Sequence, residues 1–194
     1  MEMISSEHGL LSAQLLRVMY DPLFYAAPSA REACPTTGSA AWQNRKLIEH
    51  HRLACRIDFT LDAERSWWIE HWSSLRRIAF LIGCRCLRDT LATEGGLLHL
   101  DPVARRFALL PIVAPHASAK PLHGRRADDA VLHAQGFGVI GSIAIRLPYA
   151  LRQRLALIFH DVEGISRDMA MPNASAPYPM LISTASRYAQ AHPY

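Results

Sequence analysis

Trp68, Trp72, Leu75, Ala79, Ile82 and Cys86 recur at i, i+4, i+7, i+11, i+14 and i+18. They form one stripe at the helical period along residues 66–92, SWWIEHWSSLRRIAFLIGCRCLRDTLA, and Arg76, Arg77, Arg85, Arg88 and Asp89 fall largely off it. A strand sends alternate residues to opposite faces and cannot keep this spacing on one side, so the pattern commits the middle of the chain to an amphipathic helix. Ser73 and Ser74 are the place where it would break. A stripe of this length must bury against other elements, and those have to be found on either side of it.

The flanks also read as helical. Leu10, Leu11, Leu15, Val18 and Met19 predict a helix that Pro22 stops after Asp21. Residues 26–39, rich in Pro, Ser, Thr and Gly, read as a loop. Trp42, Leu47, Ile48 and Leu53 predict a helix from about Ser39 to Cys55, and Thr60 or Asp62 caps the next one. Gly95 and Gly96 end the long helix, and Asp101 with Pro102 opens a short one that stops before Pro111. Residues 111–126 read as a long exposed loop. Asp128 to Leu147 reads as helix, although IGSIAI within it reads equally as strand. Pro148 opens a helix with Leu151, Leu155 and Ile158 as its stripe, and a Pro-rich segment leads to a last helix, MLISTASRYAQAH. Hairpin signals are absent. The expectation is an all-α single domain over 1–194, an irregular bundle of about six to eight helices with loops around 26–39, 111–126 and 164–179. With 194 residues, half of them apolar, such a chain removes roughly 70% of its unfolded surface from water and needs no metal or disulfide to fold.

Charge and cysteine narrow the function classes. Residues 75–154 hold 12 Lys and Arg against 5 Asp and Glu, whereas the first 74 hold 7 against 9. A basic middle attracts nucleic acid, anionic headgroups or an acidic protein surface. Arg outnumbers Lys 19 to 2, which source-genome composition explains as readily as anion recognition does. Four scattered cysteines are no secreted framework and fit a reducing compartment. The start, MEMISSEHGLL, lacks the pattern of a signal peptide, and no apolar run is long enough for a membrane span.

Few patterns point to catalysis. GFGVIG, with Gly136, Gly138 and Gly141, is a literal G-x-G-x-x-G followed twenty residues later by Asp161. A dinucleotide site needs a buried strand running into the first glycine, and DDAVLHAQ is too short and polar to be one, so close helix packing is the preferred reading. His51 and Cys55 stand at i, i+4, but no second ligand pair accompanies them, and the ten histidines read as solvated surface residues. Cys84 and Cys86 read as small buried hydrophobes. Core packing is the default for the tryptophans, and Trp68 and Trp72 share the apolar face; Trp67 lies off it and is the better candidate for a partner-facing or partly exposed ring.

Several segments resemble one family. YDPLFYAAPSA at Tyr20 to Ala30 is similar to the "(F/Y)DP-x-x-Y" element of the OrgA/MxiK proteins, the SctK-type accessory components of bacterial type III secretion machines. WIEHWSSLRRIAFLIGCRCLRDTLATEGGLLHL resembles that family's Trp-x-x-x-Trp pair, Leu-x-Gly-Cys centre and Gly-Leu-Leu turn. LPYALRQRLALIF resembles its Leu-Pro-x-x-Leu-x-x-Arg helix, and RYAQAHP its "YAQ-x-x-P" ending. The likeness covers about two thirds of the chain; residues 111–146 have no counterpart in it, and Ala27 replaces a frequent polar residue. The resemblance implies a non-enzymatic cytoplasmic adaptor of the sorting platform at the inner face of the inner membrane, without cofactor. Its implied partners are the cytoplasmic domain of the inner-membrane ring protein and the pod protein. Tyr20, Asp21, Pro22, Tyr25, Trp67, Arg76 and Arg77 are the expected partner-binding residues. The rival reading is a small nucleic-acid-binding protein using 75–154.

Overall fold

The computed structural model describes residues 2–32, 37–115, 128–162 and 178–192, and every described element is helical or irregular. The helices are α1 (Glu2–Tyr20), α2 (Pro28–Arg31), α3 (Ala40–His50), α4 (Ala63–His71), α5 (Leu75–Cys86), α6 (Arg88–Thr93), α7 (Pro102–Ala108), α8 (Asp129–Ala144), α9 (Tyr149–Ile158) and α10 (Pro179–Ala191). The fold is all-α, as the periodicity requires. Much of the loops expected at 111–126 and 164–179 lies outside the described residues.

Side-chain caps place the helix starts. Ser39 accepts from the Trp42 N–H, Asp62 from Arg65, Asp101 from Val103 and Ala104, and Asp128 from Val131, each satisfying amides that the first turn leaves unpaired. Asp62, not Thr60, therefore opens α4. The stripe of 66–92 is interrupted by a 3₁₀ turn at Trp72–Ser74, and Gly95 takes the left-handed backbone (φ 71°) that turns the chain after α6. Three expectations are corrected. The 26–39 loop contains the one-turn helix α2. The helix expected to reach Cys55 ends at His50, because Arg52 adopts a left-handed φ of 51°. His51, His71 and His133 are buried, not solvated.

The chain gathers into two compact units, residues 1–73 with 146–161, and residues 74–145 with 162–194. In the first, α1 packs with α3, α4 and α9 over a core containing Met19, Leu47, Trp68, Trp72, Leu151 and Leu155. Fully buried among them is Arg154, whose guanidinium donates to the carbonyls of Met19, Ala54 and Ala150 at 2.7–3.2 Å. Gln153, one residue earlier, accepts from the Ala54 N–H (2.8 Å) and donates to the Arg52 carbonyl (3.3 Å). α9 thus pins both the C-terminus of α1 and the strap after α3, and it pairs the Met19 carbonyl where burial excludes water.

In the second unit α5 is the central helix, packed against α7, α8 and α10. Its contact with α8 is the closest. A Cβ placed on Gly136 would sit 1.7 Å from the Ala79 carbonyl oxygen, and one on Gly83 would sit 1.9 Å from that of Leu132. Only glycine permits backbones to meet at this distance. GFGVIG therefore lies inside a helix whose amides bond to the preceding turn and do not face a pyrophosphate. The IGSIAI segment, legible as strand or helix, is the last part of the same helix. Cys84 and Cys86 have thiols pushed up to about 12 by burial, which suits packing and not redox chemistry.

Candidate partner-binding site

Tyr20, Asp21, Pro22 and Tyr25 sit where α1 turns into a 3₁₀ segment, Pro22–Phe24. Most of this element faces inward. Pro22 and Tyr25 are buried; the Tyr25 hydroxyl donates to the Val18 carbonyl at 3.0 Å, and its ring meets Trp72 edge-on with centroids 5.7 Å apart. Burial pushes the Tyr25 phenol above its ordinary pKa, so it remains a neutral donor. Asp21 accepts from the Asn44 side-chain amide at 2.8 Å, and the Asn44 oxygen in turn accepts from the Leu23 N–H at 2.9 Å. A carboxylate, an amide and a backbone N–H in series lock α3 onto the turn.

Tyr20 differs from its neighbours. It is 46% exposed, and its hydroxyl donates to the Cys55 carbonyl at 2.9 Å. It lines a groove of about 510 Å³ with Ala41, Asn44, Arg45, Ile48, Glu49 and Cys55. On the rim, Arg45 and Lys46 both bind Glu49, at 2.8 and 2.9 Å, and hold its carboxyl below the ordinary carboxylate range. Phe24 is also exposed and carries the Arg17 guanidinium 3.5 Å above its ring. This is an amphipathic surface of aromatic and aliphatic carbon edged by paired charge, a chemistry that suits another protein's side chains better than a reacting substrate.

The remaining candidates separate. Trp67 is half-buried, stacked on His71 (4.8 Å, 21°) and edge-on to Trp68 (5.2 Å). Arg76 is partly exposed on α5. Arg77, expected in solvent, is instead 5% exposed and makes a two-pronged contact with Asp101 at 2.8 and 3.0 Å. The Arg77 guanidinium, together with the Val103 and Ala104 amides and against the opposing effect of burial, holds the Asp101 carboxyl below its usual range. Asn44 and Arg154, which hold the first element together, were not singled out by spacing. A buried Arg154 at the Arg position of Leu-Pro-x-x-Leu-x-x-Arg was the available signal.

Residues 15–191 match the family model of the bacterial type III secretion apparatus protein OrgA_MxiK. The chain belongs to this family. It is similar to the oxygen-regulated invasion protein OrgA of Salmonella typhimurium strains 14028s, SL1344 and LT2, 24% identical over 184 residues, which cover 91% of this chain and 87% of those proteins. No solved structure matches it. The OrgA_MxiK match takes in the Tyr20 element, the α4–α5 stripe, Arg154 and the α10 ending, so the segments that carry the resemblance are the ones with defined structural work. This is a family of secretion-apparatus components and not of known enzymes. Among the described residues no cluster of His, Cys, Asp and Glu is arranged to hold a metal, and no helix is long and apolar enough to cross a membrane.

Proposed function

We propose that this OrgA_MxiK protein is a non-enzymatic adaptor of the type III secretion sorting platform, working at the cytoplasmic face of the inner membrane. On this reading it links the cytoplasmic domain of the inner-membrane ring protein to the pod protein that receives secretion substrates. The observation that supports it best is the Tyr20 groove. A family element whose Pro22 and Tyr25 are buried for structure leaves Tyr20 and Phe24 exposed, Tyr20 on a groove whose chemistry suits a protein partner. Trp67 and Arg76 offer further contact surface. The nucleic-acid alternative is less favoured, because four of the arginines of the basic middle donate inward: Arg77 to Asp101, Arg85 to the Ile112 carbonyl, Arg105 to Leu97, Leu98 and Leu100, and Arg154 to three carbonyls.

The test is a chromosomal deletion with affinity purification from a strain carrying the whole secretion cluster. Deletion is expected to abolish type III secretion and leave general secretion intact, and the tagged wild-type chain is expected to bring down both partners at physiological salt. Normal effector secretion by the deletion strain, or recovery of neither partner, refutes the adaptor reading. Steep salt-dependent retention of generic DNA would move the nucleic-acid reading up.

A further inference from the structure

Thr184, Tyr188, Ala191 and His192 stand at i, i+4, i+7 and i+8, so they share a face at the end of α10, with Arg187 beside Tyr188. That face borders a groove of about 400 Å³ whose other wall includes Arg106 of α7. Both arginines are exposed, and among the described residues neither has a hydrogen bond or an ion pair. Their neighbours are held. Tyr188 packs edge-on to the buried Phe107 with ring centroids 5.2 Å apart, and the Thr184 hydroxyl donates to the Met180 carbonyl at 2.7 Å. The result is a braced floor with two guanidinium groups that lack acceptors.

We propose that this groove binds an acidic segment of a partner protein, with Arg106 and Arg187 each taking an Asp or Glu carboxylate. The planar fork of a guanidinium matches a carboxylate in two-pronged geometry, and Tyr and Arg are, with Trp, the residues enriched as anchors of protein interfaces. A nucleic acid suits the groove less well. It calls for a track of phosphate contacts, and Arg77, Arg85 and Arg105 of the same unit already donate to Asp101 or to backbone carbonyls. The proposal rests on the adaptor reading for the partner's origin and not for the chemistry of the groove.

The experiment uses the full chain and fluorescence anisotropy at physiological salt, with a labelled Glu-rich peptide, its Gln counterpart and a short oligothymidylate as probes. The Glu-rich peptide is expected to bind and the Gln peptide not. R106E/R187E is expected to weaken binding by about tenfold or more, and R106Q/R187Q to weaken it less, with melting temperatures unchanged. Peptide binding indifferent to both double variants overturns the proposal. So does tighter binding of the oligothymidylate that the same substitutions abolish, which would make the groove a phosphate site. A drop in the melting temperature of R106Q/R187Q also overturns it, because the arginines would then be held by this chain itself. Purification of the wild type from the secretion strain separates the two readings: partners recovered with no peptide effect sink the groove alone, and a peptide effect with no partners recovered sinks the adaptor alone.

Discussion

Gly136 and Gly138 stand two residues apart in one helix, and replacing each with alanine is expected to move stability in opposite directions. Alanine favours the helix over glycine by about 1 kcal/mol at either position. Gly138 is exposed, with nothing within 4 Å of an added Cβ, so G138A keeps that gain. At Gly136 the new Cβ meets the Ala79 carbonyl oxygen at 1.7 Å, where real Cβ atoms keep at least 3.0 Å, so α8 must back away from α5 by about 1.3 Å. The obstacle is backbone and cannot rotate aside. A gap of this size loosens every side chain along the crossing, since 0.5–1 Å already forfeits a quarter to a half of a dispersion contact. Taking overpacking at roughly 3 kcal/mol and subtracting the propensity gain leaves G136A destabilised by about 2 kcal/mol. For a chain of this size that is about 4–8 °C in melting temperature. Urea titrations of wild type, G136A and G138A followed by helical circular dichroism make the comparison. If G136A is as stable as G138A, the close crossing is wrong, and the packing account of GFGVIG fails with it.

Trp72, buried against Tyr25, is expected to cost about 3–5 kcal/mol on truncation to alanine, whereas W67A, at a half-exposed ring, should stay soluble and within about 1 kcal/mol of wild type; chemical denaturation ranks them, and a reversed order refutes the assignment of faces. R77A is expected to destabilise by about 1–3 kcal/mol, discounted because Asp101 is 40% exposed, while R76A should have a smaller effect; equal losses in chemical denaturation would refute the inward placement of Arg77. The Asp101 carboxyl lies below its ordinary value in the folded chain, so its contribution is present above the unfolded pKa near 4 and is lost as pH falls through the lower folded value. Acid titration of wild type and R77A should therefore show a smaller acid-dependent loss in the variant, and identical acid curves would sink the coupling. The single-domain reading of residues 1–194 we keep as a proposal: it requires one calorimetric transition with matching calorimetric and van't Hoff enthalpies, and two resolved transitions would end it.

How much of this was legible depends on how many sides of an element are buried. α3, α4, α7 and α10 were readable because each carries a cap or a Pro at its start and a polar face. α8 was readable in extent and ambiguous in type: Leu132, His133, Gly136, Phe137, Ile140, Gly141 and Ala144 keep a buried helical face, but the other side carries Val131, Ala134, Gly138 and Ile143, so polarity does not mark the period. α5 misled in a related way. Its stripe is real, but Leu75 and the whole run from Arg77 to Cys84 are buried, and Arg77 is admitted because Asp101, 24 residues on, supplies the countercharge. Asp101 was legible as a helix cap and not as that partner. The Tyr20 element was legible as a motif, but Asn44 reaches Asp21 only through tertiary structure. Likewise Arg106 and Arg187 are ordinary surface cations until α7 and α10 are placed side by side.

The preference for Arg over Lys then acquires a physical reason. An irregular helical fold has many short helices, and each ends in carbonyls without intrahelical donors. A lysine offers one compact charge on a flexible stem, while a guanidinium offers several donors in a rigid plane. Arg154 serves Met19, Ala54 and Ala150, and Arg105 serves Leu97, Leu98 and Leu100. Arg154 does this at a fully buried position, and Arg105 gathers three carbonyls of the turn that precedes α7. Lysine at Arg154 would leave buried carbonyls short of donors, and at Arg105 it would loosen the turn that leads into α7. Part of the positive charge in the sequence is thus directed at the protein's own backbone, through Arg31, Arg65, Arg85, Arg105 and Arg154. Arg106 and Arg187, which have no acceptor among the described residues and share one groove, have charge to offer a partner.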